Sequence, residues 1–174
     1  MTTIISIDPG YDRCGIAIIK KETKEELLFS ECFATDRKHE LTDRVFAVGQ
    51  EIERVIKKFK PTAMAIENVY FQNNQKTIIG VSEAKGVCKY VAKQHGLSVS
   101  EYTPLEIKTA ITGNGRSDKT QVAWMIPKLI NYNPEKRAQE LGGSSSGIDD
   151  EIDAIAVGLT FFAYLSTRAA YSSI

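Results

Sequence analysis

Thr3-Ile4-Ile5-Ser6-Ile7-Asp8-Pro9-Gly10 opens the chain on an alternating, β-rich run that breaks at once into a turn. The run reads as a strand over 3–8, and the break leaves the Asp8 carboxylate at its end. Turn chemistry alone accounts for an Asp before Pro-Gly, so Asp8 gains meaning only from its company. Thr62-Ala63-Met64-Ala65-Ile66, preceded by Pro61, is a second short apolar run that reads as a buried strand, and Glu67 closes it. Glutamate is rarely left unpaired in such a place. It is either an ion-paired structural residue or a ligand.

The third carboxylate group lies near the far end, in Ile148-Asp149-Asp150-Glu151-Ile152-Asp153-Ala154-Ile155-Ala156-Val157. Ile152, Ile155, Ala156, Leu159, Phe162 and Ala163 recur at helical spacing, so a helix begins near Asp149 with acids in its first turn. Asp150 and Asp153 are three apart and share a face, and Asp149, four before Asp153, could share it too. Capping and the helix dipole explain one or two of these acids. They explain Asp153 less well, because it sits on the side that buries apolar residues. Three separate elements thus deliver carboxylate to their ends, as in a cage for divalent cations.

Between these landmarks the pattern predicts strands over 3–8, 14–20 and 26–35, a helix over 41–59, and a strand over 62–67. A helix over 75–95, a strand over 97–102 and helices over 104–111, 118–131 and 149–166 follow. Three strands joined by short turns and then alternating helix and strand give an α/β fold, a mixed five-stranded sheet flanked by helices on both faces. Pro127 should kink or stop the helix that begins near Asp118. Residues 141–147, with Gly-Gly-Ser-Ser-Ser-Gly, read as a flexible linker into the last helix.

The 174 residues, 43% hydrophobic, suit one domain spanning 1–174 with a sizeable core. Three cysteines without paired spacing point to a reducing compartment, and no basic, apolar leader follows Met1, so a cytoplasmic location is expected. The longest apolar run, 154–165, is too short for a bilayer, and no membrane association is expected. His39, His95, Cys14, Cys32 and Cys88 lack metal-ligand spacing, which argues against zinc. Net charge is zero, yet residues 72–128 carry eight Lys and Arg against four acids, a local +4 balanced by −4 elsewhere.

Ile7-Asp8-Pro9-Gly10 with Gly15, Ala65-Ile66-Glu67, Ala84-Lys85-Gly86-Val87, the run Gly113-Asn114-Gly115-Arg116-Ser117-Asp118-Lys119-Thr120-Gln121-Val122, and Asp150-Glu151-Ile152-Asp153-Ala154 together resemble the RuvC Holliday junction resolvases. That family is a branch of the RNase H-like nucleases, and the resemblance runs from about residue 3 to residue 165. It implies an RNase H-like fold and a crossover junction endonuclease that makes paired incisions in four-way DNA junctions during recombination and repair. The implied cofactor is Mg²⁺ or Mn²⁺, two ions per active site. The implied partners are junction DNA, a second copy in a homodimer, and a branch-migration helicase. By the family pattern the catalytic, metal-binding acids are Asp8, Glu67, Asp150 and Asp153. Asp149 is then expected to precede the last helix and serve as its N-cap.

Two hard cations held about 3.5–4 Å apart can stabilise both the attacking and the leaving oxygen of an in-line displacement, and oxygen ligands suit them. Lys108 and Lys119 match basic positions that the family uses near the scissile phosphate and the backbone. Lys85, Lys89 and Lys93 form an i, i+4 series, either a phosphate track or a plain solvated face. Lys76 and Arg116 complete the candidate basic contacts to DNA. Tyr70 and Phe71 lie in a polar loop after Glu67, where one ring is expected to wedge into the junction centre and stack on a base. The alternatives are a nuclease for other branched DNA or RNA–DNA hybrids, and a junction-binding protein that does not cleave. An ATPase of the actin and Hsp70 type shares the opening strand and acidic glycine turn, but needs a second phosphate loop and a far longer chain.

Overall fold

Ile5, Ile7 and Met64, Ile66 point to one side of their strands while Ile4 and Ala63, Ala65 point to the other, and all are buried. Strands covered on both faces lose the polar alternation of a half-exposed sheet. The computed structural model describes residues 1–68 and 75–171, with backbone alone at 75–77 and 168–171. Its strands are β1 (Thr2–Asp8), β2 (Arg13–Lys21), β3 (Glu25–Ala34), β4 (Ala63–Glu67) and β5 (Ser98–Tyr102). They form one mixed sheet in the order β3-β2-β1-β4-β5, antiparallel through β3, β2 and β1 and parallel through β1, β4 and β5.

Helices cover both faces, as expected. The helices α1 (Leu41–Phe59) and α2 (Gln75–Gln94) pack on one side, where Val48, Ile52, Cys88 and Ala92 meet Ile16, Ile18 and Ile66. On the other side lie α3 (Pro104–Thr112), α4 (Lys119–Leu129) and α6 (Ile148–Tyr171), with Ile107, Ile126, Ile155 and Phe162 against Ile4 and Ile19. Among the described residues no helix is long and apolar enough to cross a membrane.

Pro127 is expected to kink or stop the helix begun at Asp118, and that helix ends at Leu129, with Ile130 extended. Proline in the last turn removes one internal hydrogen bond. Two elements differ from the pattern. No element is expected between 131 and 149, yet α5 (Pro134–Glu140) forms there, capped by the Asn133 side chain on Lys136 N–H at 2.9 Å. Finally, α6 starts one residue earlier than expected, so Asp149 lies exposed inside its first turn and does not cap it.

α5 buries none of its residues and is held by charge. Arg137 Nε donates to both Glu151 oxygens at 3.0 and 3.1 Å, Ser30 Oγ donates to Glu151 at 2.6 Å, and Arg137 Nη2 donates to the Ser30 carbonyl at 3.2 Å. The bonded set joins β3, α5 and the first turn of α6. At 1% exposure, Glu151 relies on those donors for its charge.

Helix α6 lies close against the sheet at Gly15. A Cβ built there would stand 2.0 Å from the Asp150 carbonyl oxygen and 3.2 Å from Asp8 Cβ. Gly15→Ala should therefore lower stability by about 1–3 kcal/mol, the cost of overpacking. By contrast, Gly86, inside α2 with nothing within 4 Å of its would-be Cβ, should gain roughly 0.5–1 kcal/mol on replacement by Ala. Thermal unfolding of the two variants checks both signs.

Candidate active site

The sheet register brings the first two acids together. β1 and β4 run parallel with Ile7 opposite Ile66, so Asp8 and Glu67 leave the same end of adjacent central strands. Their carboxyl groups are close enough for each to perturb the other's titration. Burial first, then the charges of Glu67, Asp153 and Asp150, push the Asp8 carboxyl well above its ordinary range, and Lys119 opposes them. Burial and Asp153 also raise Glu67, against the pull of the Asp8 hydrogen bond, Lys119 and Lys108.

Helix α6 crosses above this pair and brings Asp153 into the same cleft. That cleft, about 280 Å³, is lined by Asp8, Glu67, Asp153, Lys108, Lys119 and apolar residues of α3 and α4. Asp118 and Gln121 form a capping box that starts α4, with bonds of 2.9 and 3.0 Å, which sets Lys119 at the first helical position. Lys119 Nζ reaches Asp153 at 2.9 Å, and that bond holds the ammonium above its ordinary pKa. A larger groove of about 580 Å³ lies between the β2–β3 turn and the end of α4. It mixes Lys20, Lys24 and Lys128 with Glu22, Glu25 and Glu26, and no candidate acid borders it.

Asp150 stands apart from the cleft lining. Its Oδ2 is 3.1 Å from Arg13 Nε and accepts from the Cys32 thiol at 3.5 Å. Burial and the Asp150 charge push that thiol up to about 12, so it stays a donor. In this arrangement no three His, Cys, Asp or Glu side chains among the described residues converge on a common ion position. The donors are hard carboxylate oxygens, which suit Mg²⁺ or Mn²⁺. Two of the four carboxylates are paired with basic side chains, Asp153 with Lys119 and Asp150 with Arg13.

The candidate DNA contacts divide. Lys108 and Lys119 line the cleft. Arg116 is exposed in the α3–α4 loop, whose shape is set by Thr112 Oγ1 against Ser117 Oγ at 2.8 Å and by Asn114 Oδ1 accepting from Arg116 N–H at 3.0 Å. Lys85 has a different place, being 8% exposed with its ammonium on Asn68 Oδ1 at 2.7 Å and Glu101 Oε2 at 2.6 Å. Lys89 also binds Glu101, at 2.7 Å. The expected phosphate track is thus closed at two of its three positions by internal pairing. Tyr70 and Phe71 lie outside the described residues, as does the side chain of Lys76. Sequence reasoning missed Arg13, Cys32 and the Arg137–Glu151 pair. Only the position of Glu151, between two candidate acids, hinted at any of them.

Residues 4–161 match the family described as crossover junction endodeoxyribonuclease RuvC. A protein of that description from Fusobacterium nucleatum is 31% identical over 169 residues, covering 97% of this chain and 84% of its own length. Another, from Leifsonia xyli, is 37% identical over 129 residues, 73% of this chain. The matched region spans 62% of that relative, less than two thirds of its length. Among solved structures, T. thermophilus RuvC in complex with Holliday junction substrate superposes with a TM-score of 0.82 at 24% identity, covering 95% of both chains. That likeness establishes the RNase H-like fold.

The raised carboxyls predict a pH signature in protein kept free of divalent ions. A group whose pKa is raised on folding contributes stability that is full below its unfolded value and is lost as pH climbs through its folded value. The wild type in chelator should therefore melt at a lower temperature at about pH 8 than at about pH 5, above the ordinary carboxylate range. Asp8→Asn should flatten that slope and melt above the wild type at the higher pH. Identical slopes in the two proteins would remove Asp8 as the source.

Proposed function

This chain belongs to the RuvC family of crossover junction endodeoxyribonucleases, and from that premise we propose that it is a divalent-cation-dependent endonuclease that resolves four-way DNA junctions by paired incisions. The observation that carries this reading is the meeting of Asp8, Glu67 and Asp153 in one cleft with Lys108 and Lys119, and with Asp150 alongside. The 174 residues act as one nuclease domain in the cytoplasm, as a homodimer whose two sites face opposed strands, with a branch-migration helicase as partner. Symmetric incision supports the dimer, since two sites related by a two-fold axis cut symmetrically.

Asp8, Glu67, Asp150 and Asp153 would hold two Mg²⁺ or Mn²⁺ ions. Such ions supply Lewis-acid stabilisation at both ends of an in-line displacement on a phosphodiester. The residues themselves set the conditions. Both Asp8 and Glu67 have raised proton affinity, so the fully ionised pair that ligates cations is more populated as pH rises. Lys119 must leave Asp153, and its exposed ammonium is then free for a phosphate oxygen. Lys108 faces the same cleft and attracts the backbone without reading sequence. Arg116 extends that positive edge along the α3–α4 loop.

Incubation with labelled four-way junction, duplex and RNA–DNA hybrid, in Mg²⁺ and in chelator, separates this reading from its rivals. Selective cutting of the junction is expected, and preference for the hybrid would redirect the assignment. Asp8→Asn and Glu67→Gln should lose cleavage by several orders of magnitude while junction binding stays near wild type. Asp150→Asn should cut far more slowly without a lower melting temperature, whereas Asp149→Asn, altering an exposed first-turn residue, should cut nearly as the wild type does. The reverse result would shift the ligand register by one residue. Light scattering should give a dimer, and a monomer with junction bound contradicts paired incision.

A further inference from the structure

Asp150 and Asp153 leave α6 one turn apart but meet different surroundings. Asp153 lines the cleft with Asp8 and Glu67. Asp150 instead rests on the face of β2 and β3. Arg13, Gly15, Ala17 and Ile19 alternate onto the α6 side of β2, where Ala17 and Ile19 enter the core. Gly15 pairs with Cys32 across the β2–β3 ladder, and its missing side chain lets the Asp150 backbone come down between Arg13 and Cys32. The register therefore delivers a guanidinium and a thiol to the Asp150 carboxylate, at 3.1 and 3.5 Å.

Gly15 stands next to Asp8 as well, being its partner in the β1–β2 ladder, and the Asp150 charge is felt at Asp8. A cation that reaches Asp150 from Asp8 would take an outer position beside the cleft of Asp8, Glu67 and Asp153. At either place a cation meets a resident basic side chain, Lys119 on Asp153 or Arg13 on Asp150, and Lys119 is the more exposed of the two, at 82% against 49%. A guanidinium does not deprotonate at any working pH, so the pair is opened by exchange and not by titration. Arg13 is able to exchange, because its side chain is 49% exposed while that of Asp150 is 17% exposed.

We propose that Arg13 is a resident counter-cation of the outer position, competing with the second divalent ion for Asp150 and so separating the concentrations at which the two positions fill. The inference rests on the two-cation reading above. It assigns to Arg13 an effect opposite in sign to that of a brace. A brace that orients Asp150 for the ion would strengthen binding, whereas a competitor weakens it.

Mn²⁺ titration of the DNA-free protein, followed by calorimetry and by the electron paramagnetic resonance of free Mn²⁺, reads that sign directly. The wild type should show a tighter and a weaker class of site. Arg13→Gln should leave the tighter class unchanged and tighten the weaker one by roughly two- to fivefold, the worth of one half-exposed ion pair. Arg13→Lys, keeping the charge on a more flexible stem, should fall between. Asp150→Asn should remove the weaker class, and adding Arg13→Gln to it should change nothing further. A weaker class that is unchanged or loosened in Arg13→Gln overturns the proposal and makes Arg13 a brace. Absence of any Mn²⁺ binding to the wild type is a different failure, since it removes the two-cation reading itself.

Discussion

Mutual repulsion among carboxylates governs this molecule. The parallel register of β1 and β4 fixes Asp8 and Glu67 side by side, and Gly15 lets α6 lower Asp150 and Asp153 onto the same edge. No strand or helix can move to relieve the charge without opening the core. Relief comes from the raised proton affinity of the Asp8–Glu67 pair, from Lys119 on Asp153, from Arg13 on Asp150, and from the Lys108 charge acting on Glu67. The ion pairs involve at least one exposed side chain, and pairs of that kind are worth only about 0–1 kcal/mol. A carboxylate edge neutralised by a labile proton and loosely held cations is ready to accept divalent ions in their place.

One residue away, Glu151 shows the opposite solution. Its carboxylate is enclosed and bonded by Arg137 and Ser30, so its partners are fixed by the fold. Removing one member of a buried pair costs about 3–5 kcal/mol, far above the value of the exposed pairs beside it. The first turn of α6 thus carries an exchangeable acid and an anchored one in succession. The anchor joins α6 to β3 and α5, which keeps the height of the turn constant while the neighbouring acid changes partners. It also explains how a helix without buried residues, α5, has a defined place.

The sequence made the acids legible because each ends an element whose apolar pattern was strong. Asp8 and Glu67 close strands buried on both faces, and the periodicity of α6 set Asp150 and Asp153 within its first two turns. What the pattern could not convey was pairing. Pro-Glu-Lys-Arg-Ala-Gln-Glu has no apolar stripe, so α5 announced itself only through Asn133-Pro134, a cap followed by a proline at the first helical position. Lys85, spaced like a surface lysine, is buried because Asn68 and Glu101 meet it from the ends of β4 and β5, a convergence made by the sheet alone. Arg13 opened a strand with nothing in its spacing to mark it.

The same pairing revises the basic segment. Residues 72–128 carry a local +4 by composition, but Lys85 and Lys89 converge on Glu101, which they hold below its ordinary pKa. Their charges are offset where they stand and add little to the far field. Lys108, Arg116 and Lys119 are instead gathered on α3, α4 and the loop between them. Affinity for a phosphate backbone depends on how many cations can displace its counterions at once, not on the net charge of the chain. A neutral protein can therefore present a short positive edge beside an acidic cleft. On the proposed reading, that edge brings the backbone to the carboxylates only when cations have replaced the proton and the two basic side chains that now occupy them.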